Sequence, residues 1–561
     1  MSETKEKNHR RYSFNRTLSL KQKNPIHRKH YRKPYDHSTR KRLEEHSTVN
    51  ERLQKAVSSI IAAGFQLNTD AFNFLNTLPQ TEDILRLAEE TIKKIRITSE
   101  KPLFISRDFL EKVAKEILPE EKEPPLALTL PPMTDMKKAF HAYAKDIDAD
   151  MKVIDDPTDK ICATGVIEEY LGYFQDRFRK LRKILRKRMD AKDAMSISEA
   201  LKAPTNSKVK IIGMITEKRE SKKKIFLQVE DLDTNITVLV SPTTNPNIVE
   251  KAQMLLLDQV ICIIGFKGKN DLLIAEDFIL PDIPRKKPQG ASMPVYATLI
   301  SDLHVGSKKF MQEAFKRFLL WLNGKLGNEK MKHIASHVKY VIVAGDLVDG
   351  IGVYPRQIEE LAIKDIYKQY QEVASFIEQV PDYIELLIIP GNHDASRKAL
   401  PQPAIPKKYI EPLLEARKVL SFGNPCTLSL HGVEFLLYHG RSLDDVIAVA
   451  PNMSFHTPDK AMKLLLQSRH LAPIYGERTP IAPELGDYLV IERIPDVFQT
   501  GHVHVQRHSL YRGVLIVNSG AWQEQTEYQK RMGLLPTPGI VPVVNLQTLQ
   551  VTSLDFTSPL L

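Results

Sequence analysis

Five apolar segments in the C-terminal half of this 561-residue chain each end in a cluster of His, Asp or Asn side chains. In chain order the clusters are Ser301-Asp302-Leu303-His304, Gly345-Asp346-Leu347-Val348-Asp349, Gly391-Asn392-His393-Asp394, His439-Gly440 and Gly501-His502-Val503-His504. Ligand-binding side chains of sheet proteins collect beyond the ends of strands, so these clusters are expected to converge on one crevice. The pattern predicts an α/β or β-sandwich domain from Pro294 onward, with the chemistry of the chain concentrated there.

The chemical character of these clusters indicates a metal site. They combine imidazole nitrogens with carboxylate and amide oxygens, and they contain no thiolate. Such donor sets suit two divalent first-row ions, such as manganese or iron, better than a structural zinc ion. A single His or Asp is more often a surface group or a hydrogen-bonded core group, but five clusters of one kind in this order are not explained that way.

The order D-x-H, G-D-x-x-D, G-N-H-D, H-G and G-H-x-H resembles that of the calcineurin-like metallophosphoesterase superfamily. The resemblance implies a two-sheet α/β sandwich that hydrolyses phosphodiesters with two metal ions sharing one carboxylate. One ion would be held by Asp302, His304, Asp346 and His504, and the other by Asp346, Asn392, His439 and His502. Two divalent ions are therefore expected, manganese in the first place, with iron, magnesium or zinc as alternatives.

The resemblance also gives roles to side chains beside the ligands. His393 is expected to be catalytic, not a ligand: with a pKa near neutrality it would protonate the departing oxygen. Asp394 is expected to orient His393, and Asp349 is expected to be structural. Arg441 is a candidate DNA-binding residue that could reach a phosphate, with a surface salt bridge as the alternative.

The positive charge of the chain is concentrated at its N-terminus. Residues 1–50 contain 14 Lys and Arg against 5 Asp and Glu, whereas the whole chain has a net charge of +11. The tail, 1–49, has too few aliphatic residues to offset its ordering entropy by burial, so it is predicted to be disordered. It is either an arm drawn to phosphates or a solvated extension.

Two helical regions follow the tail. Apolar residues at helical spacing predict a small helical domain over 50–118, and the prolines of 119–132 predict a linker. Basic amphipathic helices complete the segment 119–204. One helix has an apolar stripe, which consists of Tyr170, Leu171, Phe174, Phe178, Leu181 and Leu185. Arg177 is expected on its opposite, basic face, which is either solvated or in contact with nucleic acid.

Strand periodicity replaces helical periodicity over 205–284. Five short strands separated by charged turns predict an OB-type β-barrel, which either binds single strands or serves only as a docking module. The calcineurin-like phosphoesterase domain is expected to fill 290–561. The predicted fold class is therefore multidomain α+β: an N-terminal helical region, an OB-type barrel and a C-terminal two-sheet α/β sandwich.

The chain beyond the metal motifs resembles the small subunits of archaeal D-family DNA polymerases. The resemblance rests on the barrel before the phosphoesterase domain, the basic helix ending in Leu181-Arg182-Lys183-Ile184-Leu185-Arg186, and the late segment Asn518-Ser519-Gly520-Ala521-Trp522-Gln523. It implies a proofreading 3′-5′ exonuclease that forms a heterodimer with a large catalytic subunit and acts on a single-stranded 3′ end. A sliding clamp is a further candidate partner.

Two other functions remain open at this level. A noncatalytic architectural subunit would use the same fold as a docking platform. A free-standing DNA repair nuclease of the same superfamily would share the metal site without needing the barrel. Metal content and association with a large subunit separate these alternatives.

Composition indicates the compartment. Three cysteines, Cys162, Cys262 and Cys426, lie far apart, so neither a disulfide framework nor a cysteine zinc site is expected. No apolar run approaches the ~20 residues of a membrane span, and the N-terminus lacks a signal-peptide pattern. A reducing, intracellular compartment is therefore expected, with no membrane partner. The resemblance to archaeal small subunits further implies a cytoplasmic, nucleoid-associated location in an archaeal cell.

Overall fold

The computed structural model describes residues 55–67, 69–77, 83–97, 104–117, 140–242 and 246–558. They fall into two units, Met1–Asp135 and Met136–Leu561. The basic tail, 1–49, and the proline-bearing part of the linker, 119–132, lie outside the described residues.

The N-terminal unit is built from helices. Residues 55–62 are helical, and the helices Thr69–Thr77, Asp83–Ile97 and Arg107–Ile117 follow. The two-residue strands Gln66–Leu67 and Phe104–Ile105 pair in parallel. Buried side chains at helical spacing, including Leu87 and Ile95, form its core.

The second unit contains a closed barrel of five strands. Its strands are Lys208–Ser221, Lys224–Glu230, Asn235–Val240, Val260–Lys267 and Leu272–Ile279. All neighbours pair antiparallel except Asn235–Val240 and Leu272–Ile279, which pair in parallel and help to close the barrel. Ile225, Leu227 and Val229 alternate into the barrel core, as expected of strands with one buried face.

Two six-stranded sheets make up the rest of this unit. The first sheet has the spatial order Val419–Ser421, Glu385–Ile389, Val338–Ala344, Tyr296–Ile300, Ile540–Asn545, Val551–Asp555. The second has the order Arg507–Tyr511, Val514–Asn518, Val497–Thr500, Val433–Leu437, Cys426–Leu430, Met151–Asp155. One buried cluster joins Leu299 and Ile342 of the first sheet to Phe435 and Val517 of the second, so the sheets pack face to face.

Helices cover the outer faces of both sheets. Gln312–Leu322, Glu329–His337, Ile366–Ile377 and Lys407–Ala416 pack on the first sheet, and Leu443–Val449 and Pro458–Ser468 pack on the second. The remaining helices are Ile167–Arg186, Ile197–Lys202, Pro246–Gln253 and Glu527–Arg531, with 3₁₀ turns at Tyr143–Asp146, Thr158–Lys160 and Gln357–Glu359. Within the described ranges, no helix has both the length and the apolar character needed to cross a membrane.

The strand Met151–Asp155 lies in the segment that was predicted as linker and basic helices. It pairs antiparallel with Cys426–Leu430 at the edge of the second sheet. Lys152 and Val153 are exposed there, so the strand carries no alternation of apolar and polar residues. Part of that segment therefore belongs to the sandwich, which the sequence pattern did not indicate.

The long helix Ile167–Arg186 corrects one prediction about its faces. Arg177 is completely buried, and its Nε donates to Asp487 Oδ2 at 2.7 Å. Its other nitrogens donate to the Pro473 carbonyl and the Tyr173 hydroxyl. Leu171, predicted to lie in the apolar stripe, is instead 61% exposed. Arg177 belongs to the buried face because Asp487 is available to pair with its charge.

Replacing Arg177 with methionine is expected to lower the free energy of unfolding of this unit by about 3–5 kcal/mol, because Asp487 would keep a buried charge without its main partner. Chemical denaturation followed by fluorescence would measure the change. Arg179→Met is the matched control on the exposed face of the same helix and should change stability by less than ~0.5 kcal/mol. Equal stability of the two variants would contradict the assignment.

Candidate metal centre

The ends of five strands bring the predicted ligands together. Asp302, Asp346 and Asn392 follow the strands Tyr296–Ile300, Val338–Ala344 and Glu385–Ile389 of the first sheet. His439, His502 and His504 follow the strands Val433–Leu437 and Val497–Thr500 of the second. These strands run parallel to their neighbours, so their carboxyl ends share one edge of each sheet. Both edges border the same site.

One group of donors consists of Asp302, His304 and His504, all buried. The Nε2 atoms of His304 and His504 are 3.1 Å apart, and His504 Nε2 is 3.4 Å from Asp302 Oδ1. Asp302 Oδ1 is buried and has no hydrogen-bond partner among the described residues. A buried carboxylate oxygen without a donor, facing two imidazole nitrogens, fits a divalent cation.

A second group consists of Asp346, His439 and His502, with Asn392 beside them. His439 Nε2 is 3.3 Å from Asp346 Oδ2 and 3.0 Å from Asn392 Oδ1. Asp346 Oδ2 is also 3.9 Å from His304 Nε2 in the first group. Asp346 therefore lies between the two groups, where the resemblance places a shared carboxylate.

The backbone of the site is left-handed at five of the predicted ligands. The φ angles of Asp302, His304, Asp346, His502 and His504 lie between 52° and 67°. A non-glycine residue in this region costs about 1–2 kcal/mol, so five of them in one site are not accidental. The conformation turns the chain sharply after each strand and directs the side chains toward one another.

Gly391 allows the closest approach within the site. A Cβ atom at this position would lie 2.1 Å from Asp346 Oδ1 and 2.6 Å from Asp346 N. No other residue fits there without displacing the carboxylate that joins the two groups. This steric conflict explains why the G-N-H-D motif begins with glycine.

Side chains that were not predicted to be metal ligands hold the imidazoles in place. His304 Nδ1 donates to Asp349 Oδ1 at 3.0 Å, and His502 Nε2 lies 3.1 Å from Asp444 Oδ2. Gln529 Nε2 lies 2.9 Å from His504 Nδ1. Hydrogen-bonded partners of this kind fix the orientation of metal-binding histidines. Asp349 was predicted to be structural, and this contact gives it a direct part in positioning His304.

The structure corrects the role of Asp394. Its carboxylate accepts hydrogen bonds from the backbone N–H groups of Asp346, Leu347 and Gly391 and from the Tyr370 hydroxyl. The His393 ring instead donates from Nδ1 to the Asp349 carbonyl oxygen, 2.7 Å away. Asp394 therefore shapes the loop that carries Asp346, and the prediction that it orients His393 is wrong.

Burial and charge set the pKa values of the site. Burial lowers the pKa of His393 to about 4, although the nearby carboxylates oppose this effect, so the ring is not near neutrality as predicted. Burial also disfavours charge on His304 and His439, but neighbouring carboxylates raise both pKa values to about 9: Asp349 and Asp346 act on His304, and Asp346 and Asp302 act on His439. Protons on these rings offset the negative charge of the carboxylates, as bound cations would.

Comparison with known proteins places the chain in a family. A family model for the B subunit of DNA polymerase alpha/epsilon matches residues 297–508, a segment that contains all seven predicted ligands. The DNA polymerase II small subunit of Methanothermobacter thermautotrophicus is 38% identical over 469 residues, which cover 83% of this chain and 93% of that protein. The chain belongs to the DNA polymerase II small-subunit family. The predicted resemblance to the archaeal D-family small subunits is thereby confirmed.

Other relatives of this small-subunit chain overlap less completely. The DNA polymerase II small subunit of Pyrococcus furiosus is 43% identical over 395 residues, or 70% of this chain. That match spans 64% of the length of the Pyrococcus protein, which is less than two thirds. A solved archaeal phosphodiesterase is 13% identical and covers 46% of this chain and 99% of its own, but with a TM-score of 0.24 the likeness carries no conclusion.

A cavity of about 610 Å³ opens over the candidate metal centre. Arg441 lines it, is half-buried, and donates from Nη1 to the Lys398 carbonyl oxygen at 3.3 Å. Arginines that the motifs did not indicate also line it: Arg356, Arg478 and Arg531. Carboxylates are present as well: Glu359, Glu360, Asp444 and Glu527. Because the arginines lie far apart in the sequence, only the folded chain shows them as a set.

The affinity of the small-subunit chain for Mn²⁺ is expected to rise with pH up to about 9. His304 and His439, whose pKa values are raised to about 9, carry protons below that pH, and a metal ion must displace them. Each displaced proton changes the affinity by about tenfold per pH unit. Calorimetric titration at several pH values would measure this slope, and an affinity independent of pH would contradict it.

Proposed function

We propose that the chain is a metal-dependent 3′-5′ DNA exonuclease that proofreads for a separate large polymerase subunit. The observation that carries this proposal is the pair of donor groups on either side of Asp346, both within reach of one open cavity. The buried, unpartnered Asp302 Oδ1 supports the presence of a cation. The proposed ligands are Asp302, His304, Asp346, Asn392, His439, His502 and His504, and Mn²⁺ is the proposed ion.

Each side chain of the site has its own proposed role in hydrolysis. Bound divalent ions in such a site lower the pKa of a water molecule and neutralise charge that develops on phosphate. Asp346 Oδ2 faces both donor groups, while Oδ1 accepts from His393 N, so one carboxylate can serve both groups. His393 holds its Nδ1 proton toward the Asp349 carbonyl and leaves Nε2 as the proton-transferring atom. A bound phosphodiester anion would raise the low pKa of this ring and enable it to protonate the departing oxygen.

A large catalytic subunit is the proposed partner. The barrel is joined to the sandwich by hydrogen bonds that include a buried one from Gln259 Nε2 to Ser468 Oγ at 2.8 Å. Tyr475 N also donates to Asp258 Oδ2 at 2.9 Å. The two parts therefore form one composite surface that suits a stable heterodimer. We further propose a single-stranded 3′ end as substrate, a sliding clamp as an additional partner, and a cytoplasmic location.

Exonuclease assays on the full chain, with and without the large subunit, test the proposal. Oligonucleotides labelled at the 5′ end should shorten stepwise from the 3′ end with Mn²⁺, faster at a mispaired end than at a paired one. EDTA should abolish the reaction. No divalent-dependent degradation under either condition, together with no bound metal, would support an architectural subunit. Internal cleavage without any association with the large subunit would support a free-standing repair nuclease.

A further inference from the structure

We propose that Tyr528 is a stacking platform that receives the terminal base of an unpaired strand at the metal centre. The inference rests on the proposed function and adds a residue that sets the form of the substrate. Tyr528 is on the short helix Glu527–Arg531, lines the cavity and is 64% exposed. An aromatic ring that is exposed beside a polar site is available to stack on a ligand.

The face that carries Tyr528 is apolar. Met532 follows it by four residues, also lines the cavity and is 49% exposed. Met532 N donates to Tyr528 O at 3.1 Å, so the two residues lie one helical turn apart and on the same side. Arg531, on the same helix, lines the cavity too and can meet a phosphate. Glu527 interacts with Arg531 as well, but it is paired most closely with Lys530, at 2.7 Å, so its charge is shared between the two cations.

The platform is tied to a proposed ligand. Gln529, the residue after Tyr528, is buried, and its Nε2 lies 2.9 Å from His504 Nδ1. Its Oε1 accepts from Thr526 N at 3.0 Å, which caps the helix. The backbone that carries the Tyr528 ring is therefore held at a fixed place relative to the donor groups. Tyr528 and the proposed ligands His502 and His504 line the same cavity, so a strand bound there can contact both.

Stacking explains selection of unpaired ends without base recognition. Every base has an aromatic face, so an aromatic platform accepts all four bases. A base inside a duplex already uses its faces in the stack and would have to leave it to reach Tyr528. Mispaired ends leave most readily, so the platform would favour them.

Fluorescence anisotropy of the full chain in EDTA tests this independently of catalysis. Two short single-stranded oligonucleotides are compared, one with a normal 3′-terminal nucleotide and one with an abasic 3′ residue. The wild-type chain should bind the normal end more tightly, and Tyr528→Ala should lose about 5- to 150-fold of this preference. Tyr528→Phe should keep it. Leu510→Ala is the matched control, since Leu510 is 65% exposed but does not line the cavity.

The outcomes separate this inference from the proposed function. A base preference that is the same in wild type and Tyr528→Ala overturns the platform, as does no base preference in wild type. Loss of the preference in Tyr528→Ala alone supports it, even if Mn²⁺-dependent degradation is never observed. Degradation with an unchanged preference in Tyr528→Ala supports the exonuclease and overturns the platform.

Discussion

Replacing Asp346 with alanine is expected to release both metal ions and to reduce Mn²⁺-dependent exonuclease activity by about 10³-fold or more. Asp346 Oδ2 is 3.3 Å from His439 Nε2 and 3.9 Å from His304 Nε2, so its loss affects both donor groups. Elemental analysis of the purified variant and the initial rate of 3′ shortening measure the two effects.

Two further variants test whether the effect of Asp346→Ala comes from the loss of the carboxylate charge. Asp346 Oδ1 accepts from the backbone N–H of His393 at 2.7 Å, so alanine also removes a hydrogen bond that shapes the loop. Asp346→Asn can keep that acceptor while removing the charge, and it should be as inactive as alanine. Asp365→Asn changes an exposed helix-capping carboxylate and should leave activity and metal content unchanged. Full activity in Asp346→Asn would reject the shared-carboxylate role.

Replacing His393 with alanine is expected to lower kcat by about 10²- to 10⁴-fold while both metal ions remain bound. The ring is fixed through Nδ1 to the Asp349 carbonyl, which leaves Nε2 for proton transfer. Single-turnover rates and metal content of the same sample measure the two quantities.

Retention of metal decides between two roles for His393. His304, Asp346 and His393 also form a group compact enough to hold an ion, so a ligand role has a geometric basis. Loss of one ion in His393→Ala would establish that role and reject the proton-transfer assignment. His508→Ala replaces an exposed histidine outside the motifs and should change neither quantity.

The positions of the proposed ligands could be predicted because each motif is local. A strand followed at once by His, Asp or Asn shows both the element and the donor within a few residues. The partners that hold the imidazoles could not be found this way. Asp444 and Gln529 meet His502 and His504 only through packing of helices whose sequences contain no metal motif. The error on Asp394 has the same origin, because adjacency in the motif does not determine which group a side chain contacts.

The remaining differences in the fold also depend on tertiary partners. The spacing of Arg177 on its helix gives no sign that Asp487, 310 residues away, makes its burial favourable. The strand Met151–Asp155 is set by the open edge of Cys426–Leu430, not by its own apolar pattern. The barrel strands could be predicted from the sequence, because alternating buried residues such as Ile225, Leu227 and Val229 indicate a strand with one buried face.

The left-handed conformation of five proposed ligands has an evolutionary consequence. At about 1–2 kcal/mol each, these residues together oppose folding by an amount comparable to the whole stability of many domains, ~5–15 kcal/mol. Glycine adopts this conformation without cost, so a glycine substitution at any of these positions would relax the backbone, and only a function of the ligand side chains opposes such substitutions. In a lineage that no longer used these side chains, glycine substitutions at the five positions would stabilise the fold, so the donor groups would be lost and would be difficult to regain.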